Sequence, residues 1–371
     1  MTASLIPPWW QAPAAGGSPP QPQPAGRAFP LTRIEAVGIC LTQTKEPVLR
    51  IVFAGTPDAA VPSLRALLDA HRQGRHQLVA VITRPDAKVG RGRTLQPSPV
   101  AAVADEAGIP VIKAANLRGD AIADTIADLT PDAGAVVAYG AILPQRILDI
   151  PPHGWTNLHF SLLPAWRGAA PVAAAIRAGE QRTGASTFRL EAGLDTGPVY
   201  GTLTEPIGLT DTTGDLLGRL ADRGAGLLLE TLDALAAGTA HPVSQPDEGV
   251  STVGKLTAAD AVVDWTRPAG EIDRLIRAMT PDPGATTGSR WGRLTLGPVT
   301  PMDAPPDVQP GQLVVSKRAV VVGTGSGAVR LGTVTAPGKK PMPAADWARG
   351  ARPTADDLLG QSAAAATDVQ T

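Results

Sequence analysis

Beyond Val48 the apolar positions follow two periods in turn, short runs of strand length and longer stretches with amphipathic-helix spacing. Leu49 to Ala54 and Leu78 to Thr83 predict strands, and Ala59 to His71 between them predicts a helix. The alternation continues with a helix around Val100 to Ala107, a strand at Val111-Ile112, a helix near Arg118 to Leu129 and a strand from Ala133 to Ala138. Trp155 to Ser161 reads as a strand opening into a turn, followed by a helix through Val172 to Ile176, a strand from Pro198 to Pro206 and a long helix from Thr213 to Ala237. Strands alternating with helices at this spacing predict an α/β domain over residues 48–237, with a doubly wound parallel sheet covered on both faces. Gly238, Pro242, Pro246 and Gly249 break the periodicity and mark a linker over 238–256. In residues 257–352 a helix at Ile272 to Met279 precedes short strand-like runs at Trp291 to Leu296, Gln312 to Val315, Ala319 to Val322 and Val329 to Val334, which predict a small barrel.

The ends differ in character. Gln11 to Pro30 is rich in Pro, Gly, Ala and Gln, so residues 1–47 are expected to be disordered, as is the tail 353–371. Pro7-Pro8-Trp9-Trp10 would suit a docking tail; alternatively translation starts near Val48 and the first 47 residues are not made. The single cysteine, Cys40, excludes a disulfide within the chain and fits a reducing cytoplasm. No apolar run approaches the roughly 20 residues of a membrane helix, and Met1 to Trp10 lacks the basic region and apolar core of a signal peptide. A formal net charge of −1 provides no global field for nucleic acid, so any such contact would come from local patches.

The candidate chemistry begins at Asn157 and His159. Alternation along the strand sends both to one side, at a strand end where open α/β sheets place ligands. An amide can hold a carbonyl oxygen that becomes negative, and an imidazole exchanges protons near neutral pH. Asp195, bracketed by Gly193 and Gly197, can sustain the imidazolium or relay a proton. The bland readings are a satisfied core histidine, a turn amide and an Asx-turn aspartate. His71, His76, His153 and His241 lack such neighbours and read as surface residues; with Cys40 in the tail, no metal site is expected. The first turn, Ala54-Gly55-Thr56-Pro57-Asp58, has one glycine where a dinucleotide loop needs three, which disfavours a nicotinamide dehydrogenase. Gly55 is expected to serve the turn, and Thr56 or Asp58 to cap the next helix. Arg84, Lys88, Arg91 and Arg93 against the one acid Asp86 form a basic segment without apolar periodicity, read as a mobile surface loop.

Asn157-Leu-His159-Phe-Ser161-Leu162-Leu163-Pro164, followed by Arg167-Gly168, resembles the signature of the folate-dependent formyltransferases, and Leu194-Asp195-Thr196-Gly197 is similar to their acidic loop. Ile51 to Asp58, Arg91-Gly92-Arg93 with Pro97-Ser98-Pro99-Val100, and Val136 to Gly140 with Ile142-Leu143-Pro144 resemble the methionyl-tRNA formyltransferase family over about residues 49–350. The resemblance implies a formyl donor, 10-formyltetrahydrofolate, held by Ser161, Leu162, Leu163 and Pro164 and by Val137, Ala138, Tyr139 and Gly140, with no metal. It implies an acceptor, initiator methionyl-tRNA, met by Arg84, Lys88, Arg91 and Arg93 and by Lys339 and Lys340 of an OB-like second domain. It assigns Asn157 to the oxyanion, His159 to the oxyanion and the leaving nitrogen, and Asp195 to sustaining His159 and relaying the amine's proton through water. From Gln309 to Arg352 seven cations face the single acid Asp346, a local footprint consistent with that partner. Phe160 stands where some relatives have Gly, and Ala59 where the family often has Phe; Phe160 would narrow the pocket. The same core would serve formylation of glycinamide ribonucleotide or an amino-sugar nucleotide without the basic loop, or a non-catalytic tRNA-binding module; the intact Asn157, His159 and Asp195 argue against the last. No long heptad seam argues for an obligate coiled-coil dimer, and a monomer is expected.

Overall fold

The computed structural model describes residues 47–89, 94–305 and 307–361. Residues 1–46 and 362–371, on which most of both expected tails falls, lie outside the described residues, as do Arg91 and Arg93. The first part comprises β1 (Arg50–Gly55), α1 (Val61–Arg72), β2 (Gln77–Thr83), β3 (Ala87–Val89), β4 (Thr94–Gln96), α2 (Pro99–Glu106), β5 (Val111–Lys113), α3 (Asp120–Asp128), β6 (Ala133–Val137), α4 (Gln145–Leu148), β7 (Trp155–His159), β8 (Arg167–Gly168), α5 (Pro171–Ala178), β9 (Arg182–Arg189), β10 (Val199–Pro206) and α6 (Thr213–Ala236). Seven strands form one sheet in the order β10-β9-β7-β6-β1-β2-β5, parallel from β7 to β5. β9 and β10 are antiparallel additions at one edge. β9 escapes a hydrophobic reading because Gly184, Ala185 and Ser186 dilute its apolar content.

Apolar side chains sort by strand parity. Ile51, Phe53, Leu158 and Phe160 join one core with α1, α2, α5 and α6, while Val52, Ala54 and Trp155 face α3 and α4. Both faces are therefore covered, as a parallel sheet requires. Local signals set the helix ends: Pro171 occupies the first turn of α5, and Thr212 with Asp215 forms a reciprocal capping box on α6. The chain leaves β1 toward β2 and β5 and returns to β6 on its other side, so the switch point lies between β1 and β6.

The basic segment is not a featureless loop: β3 and β4 pair as a two-stranded antiparallel ribbon around residues 90–93. The expected linker is also structured, since β11 (Thr252–Val253) pairs in parallel with β8. The second part holds α7 (Ala269–Ala278), β12 (Ala285–Thr287), β13 (Leu294–Leu296), β14 (Val299–Met302), β15 (Leu313–Val315), β16 (Val320–Gly323), β17 (Ala328–Leu331), β18 (Thr333–Thr335), β19 (Met342–Pro343) and α8 (Ala344–Ala351). Its strands make two four-stranded sheets, β12-β13-β18-β19 and β14-β17-β16-β15, around one core that includes Trp265, Ile276 and Trp347. The run Val329 to Val334 is two strands, divided at Gly332. Residues 353–361, expected within the tail, pack onto this core through Leu359, which is 4% exposed.

Candidate active site

The ends of β1, β6 and β7 bring the sequence candidates together at the switch point, where ligands of open α/β sheets bind. Asn157 lies opposite Val136 of β6 and shares a face of β7 with His159. Its Oδ1 is buried without a hydrogen-bond partner, so an amide edge is presented with nothing from the protein to satisfy it. Phe160 points the other way, into the core with Leu158 and Val172, and does not narrow the site. Ala59 likewise packs against that core.

His159 is 6% exposed, with the edge of its ring at 86° to Phe188. Its Nε2 lies 2.9 Å from the carbonyl oxygen of Trp166, which can only accept, so Nε2 carries the proton. Nδ1 of the neutral ring is then a free lone pair, 3.7 Å from Asp195 Oδ2. Burial pushes the imidazole below its ordinary pKa, opposed by the charge on Asp195 and by the Trp166 carbonyl. The loop between β9 and β10 folds back to present Asp195, whose Oδ2 accepts the Gly168 N–H at 2.7 Å. A Cβ on Gly193 would collide with Thr196 and one on Gly197 with the Arg189 carbonyl, so close approach demands both glycines.

Backbone strain gathers here. Among the described residues six non-glycine positions have positive φ, and three of them are Ala138 (47°), Trp166 (57°) and Asp195 (51°). Such conformations are costly and cluster at functional sites. Ala138 and Gly140 are exposed around a buried Tyr139. Tyr139 itself is 2% exposed and its hydroxyl donates to the Ala114 carbonyl, so its ring belongs to the core and residue 139 offers a ligand only backbone. Thr56 caps no helix; its hydroxyl donates to the Tyr139 carbonyl at 2.8 Å and ties the two switch-point loops together. Gly55 ends β1 without a positive φ; a Cβ there would strike Phe53, Ala60 and the Val137 carbonyl. Val137 is fully buried.

Ser161 is buried, its hydroxyl donating to the Ala165 carbonyl, while Leu162, Leu163 and Pro164 are half-buried after β7. Arg84 donates to the Gly140 carbonyl at 3.2 Å, which places it beside the Ala138 loop rather than out on the ribbon. Lys88 is exposed on β3, and Lys339 and Lys340 are exposed in the turn between β18 and β19. His76, expected at the surface, is 3% exposed: its Nδ1 accepts the Leu49 N–H and its Nε2 lies 3.0 Å from Asp233.

Sequence reasoning missed Trp166, Gln245 and Ser251. The Gln245 amide donates to the carbonyls of Asp195 (2.7 Å) and Gly197 (2.8 Å), and its oxygen accepts twice from Arg167. Ser251 Oγ accepts the Trp166 N–H. No periodic signal marks Gln245 or Ser251, because their side-chain partners lie 48 to 85 positions away, and Trp166 owes its role to its backbone carbonyl, which no side-chain pattern reveals.

The sequence model of the formyl transferase family matches residues 49–232, and that of the formyl transferase C-terminal domain matches residues 255–352. A methionyl-tRNA formyltransferase of Thermobifida fusca is 59% identical over 304 residues, covering 82% of this chain and 97% of that protein. One from Salinispora arenicola is 55% identical over 311 residues, 84% of this chain and 100% of that protein. The solved structure of an N-formyltransferase from Helicobacter canadensis, in complex with folinic acid and dTDP-3-aminofucose, aligns with a TM-score of 0.56 at 19% identity, over 76% of this chain and 98% of that one, a likeness of fold. The chain thus belongs to the folate-using formyl transferase family, among its methionyl-tRNA formyltransferases.

Proposed function

We propose that Asn157, His159 and Asp195 carry formyl transfer from 10-formyltetrahydrofolate to the α-amino group of methionine on initiator tRNA, giving formylmethionyl-tRNA and tetrahydrofolate. The observation that carries this reading is the half-buried Asn157, whose buried Oδ1 meets no protein donor and can accept from the incoming amine, beside an imidazole whose burial favours its neutral form. The folate co-substrate supplies the formyl group. The residues that would hold it are the half-buried Leu162, Leu163 and Pro164 behind Ser161, and the backbone of Val137, Ala138, Tyr139 and Gly140 with its exposed Ala138 and Gly140. Apolar walls with a few backbone polar groups suit a flat heterocycle.

The neutral amine forms a bond to the formyl carbon, and the carbonyl pair moves to oxygen, where the Asn157 amide N–H stabilises it. Asp195 takes the amine's proton through water and passes it to Nδ1 of His159, the free lone pair of its neutral ring. The resulting imidazolium, sustained by Asp195, adds its charge at the oxygen and then returns the proton to the departing nitrogen as the old carbon–nitrogen bond breaks. The proton is conserved, and no metal enters any step. Arg84, Lys88, Arg91, Arg93, Lys339 and Lys340 meet the acceptor's phosphates, with Arg91 and Arg93 at the acceptor stem.

The test is formylation assayed with 10-formyltetrahydrofolate and three acceptors. Formylmethionine on initiator tRNA is expected; formylation of glycinamide ribonucleotide or an amino-sugar nucleotide without it would overturn the assignment. His159→Ala should lower kcat on the order of 10²- to 10⁴-fold while tRNA affinity is retained.

A further inference from the structure

We infer that the segment joining the two parts of the chain is a strap that positions the catalytic pair, with Gln245 and Ser251 as its positioning residues; this rests on the roles given above to His159 and Asp195. From His241 to Lys255 every residue is exposed except Gln245, Ser251 and Val253. A stretch with no apolar core of its own owes its path to its hydrogen bonds: Val243 pairs with Val199 of β10 through two backbone bonds of 2.8 Å, and Gln245, Ser251 and Val253 bond to the acidic loop and to the chain after β7.

Gln245 is fully used. Its two N–H groups hold the Asp195 and Gly197 carbonyls, across the loop whose Asp195 has a φ of 51°. Its oxygen receives Nε and Nη2 of Arg167 at 3.1 and 2.7 Å. One side chain therefore joins the acidic loop to the turn after β7. Ser251 works on the other partner: its Oγ accepts the N–H of Trp166, and its carbonyl accepts the N–H of Arg167. Trp166, with a φ of 57°, is the residue whose carbonyl fixes the His159 tautomer. Its indole N–H is held separately by Glu180 at 2.8 Å.

Gly168 completes the arrangement. Its φ is 113°, and any Cβ there would collide with the Val253 carbonyl, so the strap lies closer than a side chain permits. The same Gly168 donates its N–H to Asp195 Oδ2. The chain from Trp166 to Gly168 thus bonds to the catalytic pair, through the Trp166 carbonyl and the Gly168 N–H, and also to the strap, through the Trp166 N–H and the Arg167 side chain. The 3.7 Å between Nδ1 and Oδ2 is set from behind by Gln245 and Ser251. Displacements of about 1 Å in such a pair cost on the order of 10²-fold in rate.

Steady-state kinetics on the full-length protein test this. Gln245→Ala and Ser251→Ala should each lower kcat about 10- to 100-fold, with KM for tRNA and for the folate within about twofold of wild type. Ser251→Thr, which keeps the acceptor oxygen, should recover most of that loss. Gln245→Glu separates positioning from mere folding: it keeps the acceptor for Arg167 but loses both donors to the acidic loop, so it should melt near wild type and still be slow. Wild-type kcat in Gln245→Glu and Ser251→Ala, alongside an inactive His159→Ala, would overturn the strap while leaving the catalytic reading intact. An active His159→Ala would instead remove the reading on which the strap rests.

Discussion

His159 illustrates how much of a residue's chemistry lies in its surroundings. Burial lowers its pKa below the ordinary 6.5, against the opposing influence of Asp195 and the Trp166 carbonyl. The sign of the stability effect follows. Above pH 6.5 folded and unfolded chains both hold the ring neutral and it contributes nothing to pH dependence; as pH falls below 6.5 the unfolded chain takes up a proton that the folded one resists, so stability is lost. His159→Asn removes that loss. Its urea midpoint, measured relative to wild type, should therefore rise between pH 7.5 and pH 5.5, and an unchanged difference would show the ring to be charged in the native state. His76 makes the contrasting case. It links the Leu49 N–H to Asp233, residues 27 and 157 positions away, so nothing in its own polar turn reveals burial. His76→Ala leaves a backbone donor without its partner and should cost about 1–3 kcal/mol in thermal or urea unfolding, with the activity of the folded fraction unchanged. His159 was legible because its partner Asn157 shares its strand and its signature is local; His76 was not, because its meaning is entirely tertiary.

Among elements, β7 shows what the hydrophobic pattern supplies and what it omits. Period-two alternation was enough to place Asn157 and His159 on one face, and the same alternation puts Leu158 and Phe160 in the core on the other, against the expectation that Phe160 narrows the pocket. The neighbours of β7 were less visible. On one side β9, too poor in large apolar residues to read as a strand, supplies Phe188 against the His159 ring. On the other, Gly134 of β6 lies opposite Trp155, and a Cβ there would overlap the indole. Trp155 cannot readily yield, being 1% exposed with its N–H bonded to the Ile147 carbonyl at 2.7 Å. Gly134→Ala should therefore destabilise the protein by about 1–3 kcal/mol, through overpacking. Because the displaced strand ends at His159, kcat should fall more than KM rises, a split that circular dichroism and initial-rate measurements on the same preparations would detect. Equal loss of stability and activity would mean that the strand moves as a rigid body.

Across the whole molecule, the division of labour runs from a neutral average charge to local concentrations of cations. The formal net charge of −1 hides the excess of Lys and Arg between Gln309 and Arg352. The antiparallel pairing of β18 with β19 makes residues 336–341 a turn with Lys339 and Lys340 exposed in it. Arg318 and Arg330 share a separate hollow of about 220 Å³ on the same part of the chain. Sequence alone could count these charges, but only the strand pairing shows which of them stand together on a turn. If Lys339 and Lys340 contact acceptor phosphates, each releases a counterion on binding, and each removed contact lowers the slope of log affinity against log salt by about one. The double variant Lys339→Ala/Lys340→Ala should then bind initiator tRNA more weakly at low salt, with a slope shallower by about two. Its kcat at saturating tRNA and its KM for 10-formyltetrahydrofolate should stay at wild-type values, since neither lysine hydrogen-bonds to Asn157, His159, Asp195 or the strap. Filter binding across a salt series measures the slope directly. An unchanged slope would take the turn out of the tRNA interface, and a fall in kcat would mean that binding on the second part reaches the catalytic pair, for which the strap through Ser251 and Gln245 is the covalent route.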